Sequence, residues 1–118
     1  MAALAQLLLE AGFEVSGTDI RPSLRLEKLK ACGACVQVGH HQDHVQERTK
    51  IVVHSSAIPP DNPELVIARK RRLPVRPRLW ALNALLRDRK LVAIAGTHGK
   101  TTTTTWVAHM VRELTGQG

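Results

Sequence analysis

LVAIAGTHGKTTTTT, residues 91–105, reads as a strand, a glycine turn and a helix start in direct succession. Leu91, Val92, Ala93, Ile94 and Ala95 form a continuous apolar run, as a strand buried on both faces of a parallel sheet requires. Gly96 and Gly99 let the backbone turn tightly with its N–H groups pointing inward, and the helix start adds roughly half a positive charge. The product is an anion cradle. Lys100 is placed to reach terminal phosphates and neutralise their charge, and the Thr101 hydroxyl to ligate a magnesium ion bridging them. ATP is therefore the expected ligand and Mg2+ the expected metal. The contacting set is Gly96, Thr97, His98, Gly99, Lys100, Thr101 and Thr102. The strict GxxxxGK[ST] pattern is not met, because Ile94 stands where its first glycine belongs. An ordinary glycine-rich turn would account for Gly-x-x-Gly by itself. It gives no reason for the GKT that follows, or for five successive threonines at 101–105. Each of those costs several tenths of a kcal/mol against alanine in a helix, and a local rule broken at one place marks a functional site.

Upstream, helical and strand-like segments alternate, the pattern of a parallel sheet covered by helices. Leu4, Leu7, Leu8 and Ala11 share a helical face that stops at Gly12. A strand over 13–20 follows, then a helix over 23–31 with Leu26 and Leu29 on one side, and a strand over 35–38 ending at Gly39. Residues 41–48 read as a weak helix and 51–54 as a strand before the turn-rich 55–60. Asn62 can cap a helix that has Pro63 at its first position and runs to about Arg72. A short strand over 74–76 and a helix over 79–87 precede the phosphate loop. The last helix, 100–114, would bury Trp106, Val107, Met110, Val111 and Leu114.

The chain has 118 residues, 43% hydrophobic and 23% charged, which suits a folded soluble domain and excludes a disordered one. No apolar run approaches the roughly 18–20 residues of a membrane span, and the N-terminal stretch lacks the features of a signal peptide, so a cytoplasmic protein without a membrane partner is expected. The formal charge of +7 suits an anionic partner. Arg69, Lys70, Arg71 and Arg72, with Arg76 and Arg78, could line a nucleic acid, or could be cations at a helix C-terminus favoured by its dipole. One Phe, two Trp and no Tyr provide few stacking platforms for single strands. A basic nucleic-acid-binding module and a non-catalytic nucleotide-binding module are the readings of other classes. The expectation is no nucleic acid.

AGTHGKTTTT at 95–104 resembles the ATP loop of the Mur ligases, the amino-acid-adding enzymes of bacterial cell-wall synthesis. EVSGTDI at 14–20, VGHH at 38–41 and HSSAIPPDNPELVIAR at 54–69 are similar to the same family in order and spacing. The GTHGKT form is typical of its alanine-adding branch, and the tripeptide-recycling branch shares many of these motifs. The resemblance implies an ATP-driven ligation of UDP-N-acetylmuramate to L-alanine. The muramate carboxylate attacks the γ-phosphate, and the alanine amino group displaces phosphate from the resulting acyl phosphate. It also implies peptidoglycan synthesis, with its links to cell shape and division, as the process served.

By the same resemblance, residues 1–88 correspond to a Rossmann-like domain for the UDP part of the substrate, and 89–118 to the beginning of an ATP-binding domain. Asp19, His40, Ser55, Ser56 and Ala57 fall on positions that approach the uridine diphosphate. Asp19 is also a plausible turn former, and Ser55-Ser56 before two prolines is ordinary turn chemistry. Cys32 and Cys35 spell C-x-x-C, but one such pair supplies only two of the four ligands of a structural zinc site, so two free thiols are expected. His44 has same-face helical spacing to His40 and His41; a shared metal is conceivable, and loop histidines are the favoured reading.

The family begins with a strand and a glycine-rich turn that would precede Met1. The expected fold is therefore α/β, a Rossmann-like parallel sheet lacking its first strand, followed by the first strand, P-loop and helix of a Mur ligase ATPase domain. In a Rossmann order of 3-2-1-4-5 the absent strand is central. With strands about 4.8 Å apart, its absence leaves neighbours roughly 10 Å apart with facing unpaired edges. Marginal stability or association through those edges is expected, as is no ligation by these 118 residues alone.

Overall fold

The structure is a computed structural model that describes residues 1–89 and 95–116. It divides into two compact units, Met1–Asp88 and Arg89–Gly118.

The first unit alternates as expected: α1 (Ala2–Glu10), β1 (Ser16–Asp19), α2 (Leu24–Ala31), β2 (Cys35–Val38), a 3₁₀ turn (Gln42–His44), β3 (Val52–His54), α3 (Pro63–Lys70), β4 (Val75–Pro77) and α4 (Arg78–Leu86). The chain forms two β-α-β units. In one, β1 pairs in parallel with β2, setting Ser16 opposite Cys35; in the other, β3 pairs in parallel with β4, setting Val52 opposite Val75. Among the described residues the two sheets are separate, each of two strands. Both sheets are parallel, as the α/β reading expects.

The helix ends explain how the chain passes so quickly from helix to strand. At the end of α1 the Gly12 N–H bonds Leu9 O and the Phe13 N–H bonds Leu8 O; at the end of α2 Gly33 and Ala34 do the same to Lys30 and Leu29. After α3, Arg72 bonds Arg69 O and Leu73 bonds Ala68 O. These are three Schellman stops, each needing a left-handed residue after the cap. Gly12 and Gly33 supply it with φ of 87° and 96°, and Arg72 supplies it at φ 56° without glycine's freedom. The first stop also shortens the expected strand over 13–20. The Phe13 N–H is committed to α1, and the ladder starts only where Cys35 N meets Val15 O at 3.0 Å.

Caps are legible at the other ends. Ser23 Oγ accepts from Leu26 N, and buried Asn62 accepts from Glu64 N at 2.9 Å with Pro63 in the first turn of α3. The expected helix over 41–48 is only the 3₁₀ turn, because His41 caps it through the Asp43 N–H and the chain leaves helical geometry at Val45, φ −81° and ψ 93°. The core is small: Leu4, Leu26, Leu29, Ala34, Val45, Leu65, Ala68 and Ala81 are buried.

In the second unit the described residues form the loop 95–99 and α5 (Lys100–Thr115). Residues 91–94 of the expected strand lie outside the described residues. The expected buried face of α5 is not buried: Trp106, Met110, Val111 and Leu114 are exposed and Val107 is half-buried. A helix buries a stripe only against another element, and α5 is the only element among the described residues of this unit.

Candidate functional site

In both sheets of the first unit the carboxyl ends of the strands carry the residues singled out for ligand contact, which is where open α/β sheets bind. Asp19 ends β1, His40 follows β2 after Gly39, and Ser55, Ser56 and Ala57 follow β3. Asp19 is exposed and accepts the Arg21 N–H at 3.4 Å, a turn-forming contact. Ser55 builds its own turn. Its Oγ accepts Ala57 N at 3.2 Å, its carbonyl accepts Ile58 N, and His54 Nδ1 lies 2.9 Å from that carbonyl.

His40 belongs to a polar cluster that sequence reasoning missed. The Thr18 hydroxyl lies 2.9 Å from each carboxylate oxygen of Glu64, and His40 Nδ1 lies 3.2 Å from Glu64 Oε1 and 3.2 Å from Thr18 Oγ1. The His41 N–H points at the same oxygen from 3.3 Å, and His44 Nδ1 stands 3.7 Å from it. The cluster is mostly screened from solvent, with the side chains of His40 and Glu64 20% and 17% exposed. It fastens the carboxyl end of β1 and the loop after β2 to the start of α3. No side-chain hydrogen bond among the described residues joins Asp19, Ser55 or Ser56 to it. Local sequence gave no signal for Glu64, because an acid in the first turn of a helix is ordinary dipole chemistry. His40 lies in the loop after β2 and His44 ends the 3₁₀ turn, and the Nδ1 of each lies within 3.7 Å of Glu64 Oε1. No group of three metal-ligating side chains is assembled among the described residues.

In the second unit, Gly99 is the N-cap of α5 at φ 75°, and no side chain caps the helix. A helix start leaves its first N–H groups without intrahelical partners, and here they are not taken up by a neighbouring hydroxyl or carboxylate. Thr97, His98, Gly99, Lys100, Thr101 and Thr102 line a shallow concavity of about 300 Å³ at this end. The Lys100 ammonium bends back onto the Gly96 carbonyl. The Thr104 and Thr105 hydroxyls bond back to the carbonyls of Lys100 and Thr101, while the Thr101 and Thr102 hydroxyls make no hydrogen bond among the described residues. Among the described residues, uncapped N–H groups, an exposed cation and a hydroxyl without a partner are the donor set that a polyphosphate with a magnesium ion would use.

Cys32 and Cys35 are free and exposed, and Gln46 Nε2 lies 3.5 Å from Cys35 Sγ. Of the basic stretch, Arg69 and Lys70 lie in the last turn of α3, Arg69 Nη1 donates to Pro60 O, and Arg71 Nη1 donates to Val45 O, each at 2.6 Å. Arg76 stacks on Trp80 at 5.7 Å. No helix among the described residues is long and apolar enough to cross a membrane.

Residues 1–90 match the Mur ligase family, catalytic domain. The UDP-N-acetylmuramate--L-alanine ligase of Thermobifida fusca is 51% identical over 114 residues, 97% of this chain and 24% of its own length. The protein of that name from Nitrosospira multiformis is 47% identical over 113 residues, 96% of this chain and 23% of its own. A crystal structure of UDP-N-acetylmuramate-alanine ligase from Thermotoga maritima matches with a TM-score of 0.88 at 36% identity, over 97% of this chain and 27% of that one. The chain spans about a quarter of the length of the relatives it matches. With the family match covering residues 1–90, and with relatives 47% and 51% identical over nearly the whole chain, the chain belongs to the Mur ligase family.

Proposed function

We propose that these residues are the uridine-nucleotide-binding part and the ATP phosphate loop of a ligase that joins UDP-N-acetylmuramate to L-alanine in peptidoglycan synthesis. On this reading residues 1–88 hold the UDP end of the substrate and 89–118 open the ATP-binding domain. The observation that carries the reading is the uncapped start of α5, with Lys100 beside it and the Thr101 hydroxyl spare. The names of the relatives, at 47% and 51% identity, favour the alanine-adding over the tripeptide-recycling branch.

ATP with magnesium would supply the phosphoryl group that activates the muramate carboxylate. The chain's own residues position and neutralise. Gly96 and Gly99 shape the backbone so that the N–H groups at the start of α5 face the phosphates, as Thr97, His98 and Thr102 wrap them. Lys100 exchanges the Gly96 carbonyl for phosphate oxygens, and Thr101 offers its hydroxyl to the metal. At the strand ends of the first unit, Asp19, His40, Ser55, Ser56 and Ala57 approach the uridine diphosphate.

Calorimetric titration of the 118-residue chain with UDP-N-acetylmuramate and, separately, with Mg-ATP tests the reading. Binding of both is expected, with no phosphate release when alanine is added to the mixture, because the chain covers 24% or less of these relatives' length. A chain that binds neither nucleotide, but binds duplex DNA with a steep salt dependence, would refute it.

A further inference from the structure

Glu64 is not among the residues so far given a ligand contact. Yet its carboxylate meets the Thr18 hydroxyl, His40 Nδ1 and the His41 N–H together. The hydrogens can be placed from these contacts. An ionised carboxylate only accepts, and a hydroxyl has one hydrogen to give. The Thr18 hydrogen is directed to Glu64, whose two oxygens both lie 2.9 Å from Oγ1. His40 Nδ1 then faces lone pairs on Glu64 Oε1 and on Thr18 Oγ1, each 3.2 Å away, and is stabilised there only when it carries a hydrogen. In a neutral imidazole the other nitrogen is then bare. That nitrogen, His40 Nε2, is buried and has no hydrogen-bond partner among the described residues. Buried polar atoms in folded proteins are nearly always paired, so an orphan of this kind points to a partner from outside the chain. His44 Nδ1, 3.7 Å from the same carboxylate oxygen, makes no hydrogen bond and does not alter this placement.

We propose that Glu64 is a positioning residue for the nucleotide site. It holds His40 in the Nδ1–H tautomer, so that Nε2 accepts a hydrogen bond from a donor on the uridine end, a ribose hydroxyl or the imide N–H, and does not donate to a diphosphate oxygen. The inference rests on the reading of His40 as a UDP contact. Thr18 completes the arrangement by giving its one hydrogen to the carboxylate and not to His40 Nδ1, and the contact spans 46 positions of sequence.

The test is the long-range ring ¹⁵N spectrum of the chain at about pH 8, above the range in which free histidine titrates, recorded with and without UDP. Wild-type His40 is expected as the Nδ1–H tautomer, with its Nε2 resonance moved by UDP. Glu64→Ala is expected to return the ring to a tautomer mixture and to weaken UDP binding by roughly tenfold or more. Glu64→Gln keeps an acceptor oxygen in place and is expected to restore both the tautomer and most of the affinity. A general loss of packing would not be repaired in this way. An Nε2–H ring in the wild type overturns the inference without recourse to any variant. So does a Glu64→Ala chain that binds UDP as tightly as wild type, and in both cases the nucleotide reading stands; UDP binding that leaves His40 unmoved overturns the inference and removes His40 from the UDP contacts. Absence of any UDP-induced change in the wild-type spectrum overturns both.

Discussion

Thr18 on β1 and Glu64 at the start of α3 meet at 2.9 Å through both carboxylate oxygens, although 46 positions separate them. This is a side-chain link between an element of one two-stranded sheet and the crossover helix of the other. Parallel strands cannot be closed by short hairpins, so long-range contacts such as this one fix how successive β-α-β units sit together.

Thr18→Val, nearly the same shape without the donor, is expected to destabilise the chain by about 1–3 kcal/mol, the cost of leaving a screened acceptor unpaired. Thr18→Ser should recover most of the loss. Urea denaturation checks this, and an unchanged midpoint for the valine variant would count against the link.

Leu65, one of the most enclosed side chains of α3 at 3% exposure, anchors a core of few large residues. Leu65→Ala is expected to cost about 2–5 kcal/mol, and with so small a core to abolish the cooperative thermal transition seen by circular dichroism. A transition retained within a few degrees of wild type would show that the core lies elsewhere.

Arg72 holds φ 56°, the left-handed conformation that follows the cap of α3. Arg72→Gly is expected to stabilise the chain by roughly 0.5–1 kcal/mol, because the relief of Cβ strain exceeds the added freedom of the unfolded chain. A lower melting temperature in the glycine variant would contradict this account of the turn.

Lys100→Ala is expected to weaken Mg-ATP binding by roughly tenfold or more, through loss of a charge-assisted contact to phosphate. The melting temperature should not move, since the ammonium is exposed and its bond is to the loop's own Gly96 carbonyl. Equal ATP affinity in the variant would remove Lys100 from the site.

Among the described residues, two separate two-stranded sheets leave strand edges without partners, and two strands by themselves are marginal. The isolated chain is expected to melt at a temperature that rises with protein concentration, as edges pair between molecules. A reversible melt independent of concentration, with a monomeric mass in solution, is the opposing result.

The alternation of helix and strand was readable because it rests on local signals: Asn62 before Pro63, Gly12 and Gly33 after apolar helical faces, and short β-branched runs. The start of α5 at Lys100 was readable for the same reason, since the glycine turn that precedes it is contiguous with it. What stayed hidden depended on contacts distant in sequence. Glu64 carries no local mark that separates it from any acid in a first helical turn, and only the fold brings it to Thr18 and His40. The strand expected to begin at Phe13 begins later because the Phe13 N–H completes α1, a choice that period-2 patterning does not register. The apolar stripe of α5 was legible as a stripe, but a stripe says nothing about what covers it.

The helix stops carry a practical corollary for anyone cutting, tagging or permuting this chain. After α2 the left-handed Gly33 is followed by Ala34 and then directly by the first residue of β2, and after α3 the left-handed Arg72 is two residues short of Pro74, whose carbonyl already accepts from Val52. There is no slack in either connection. One residue added or removed there would turn the outward side of the next strand inward along its whole length. New termini and inserted labels belong instead between Ile58 and Asp61, beyond the proposed UDP contacts, where the backbone is organised by its own turns and not by the ladder of a sheet.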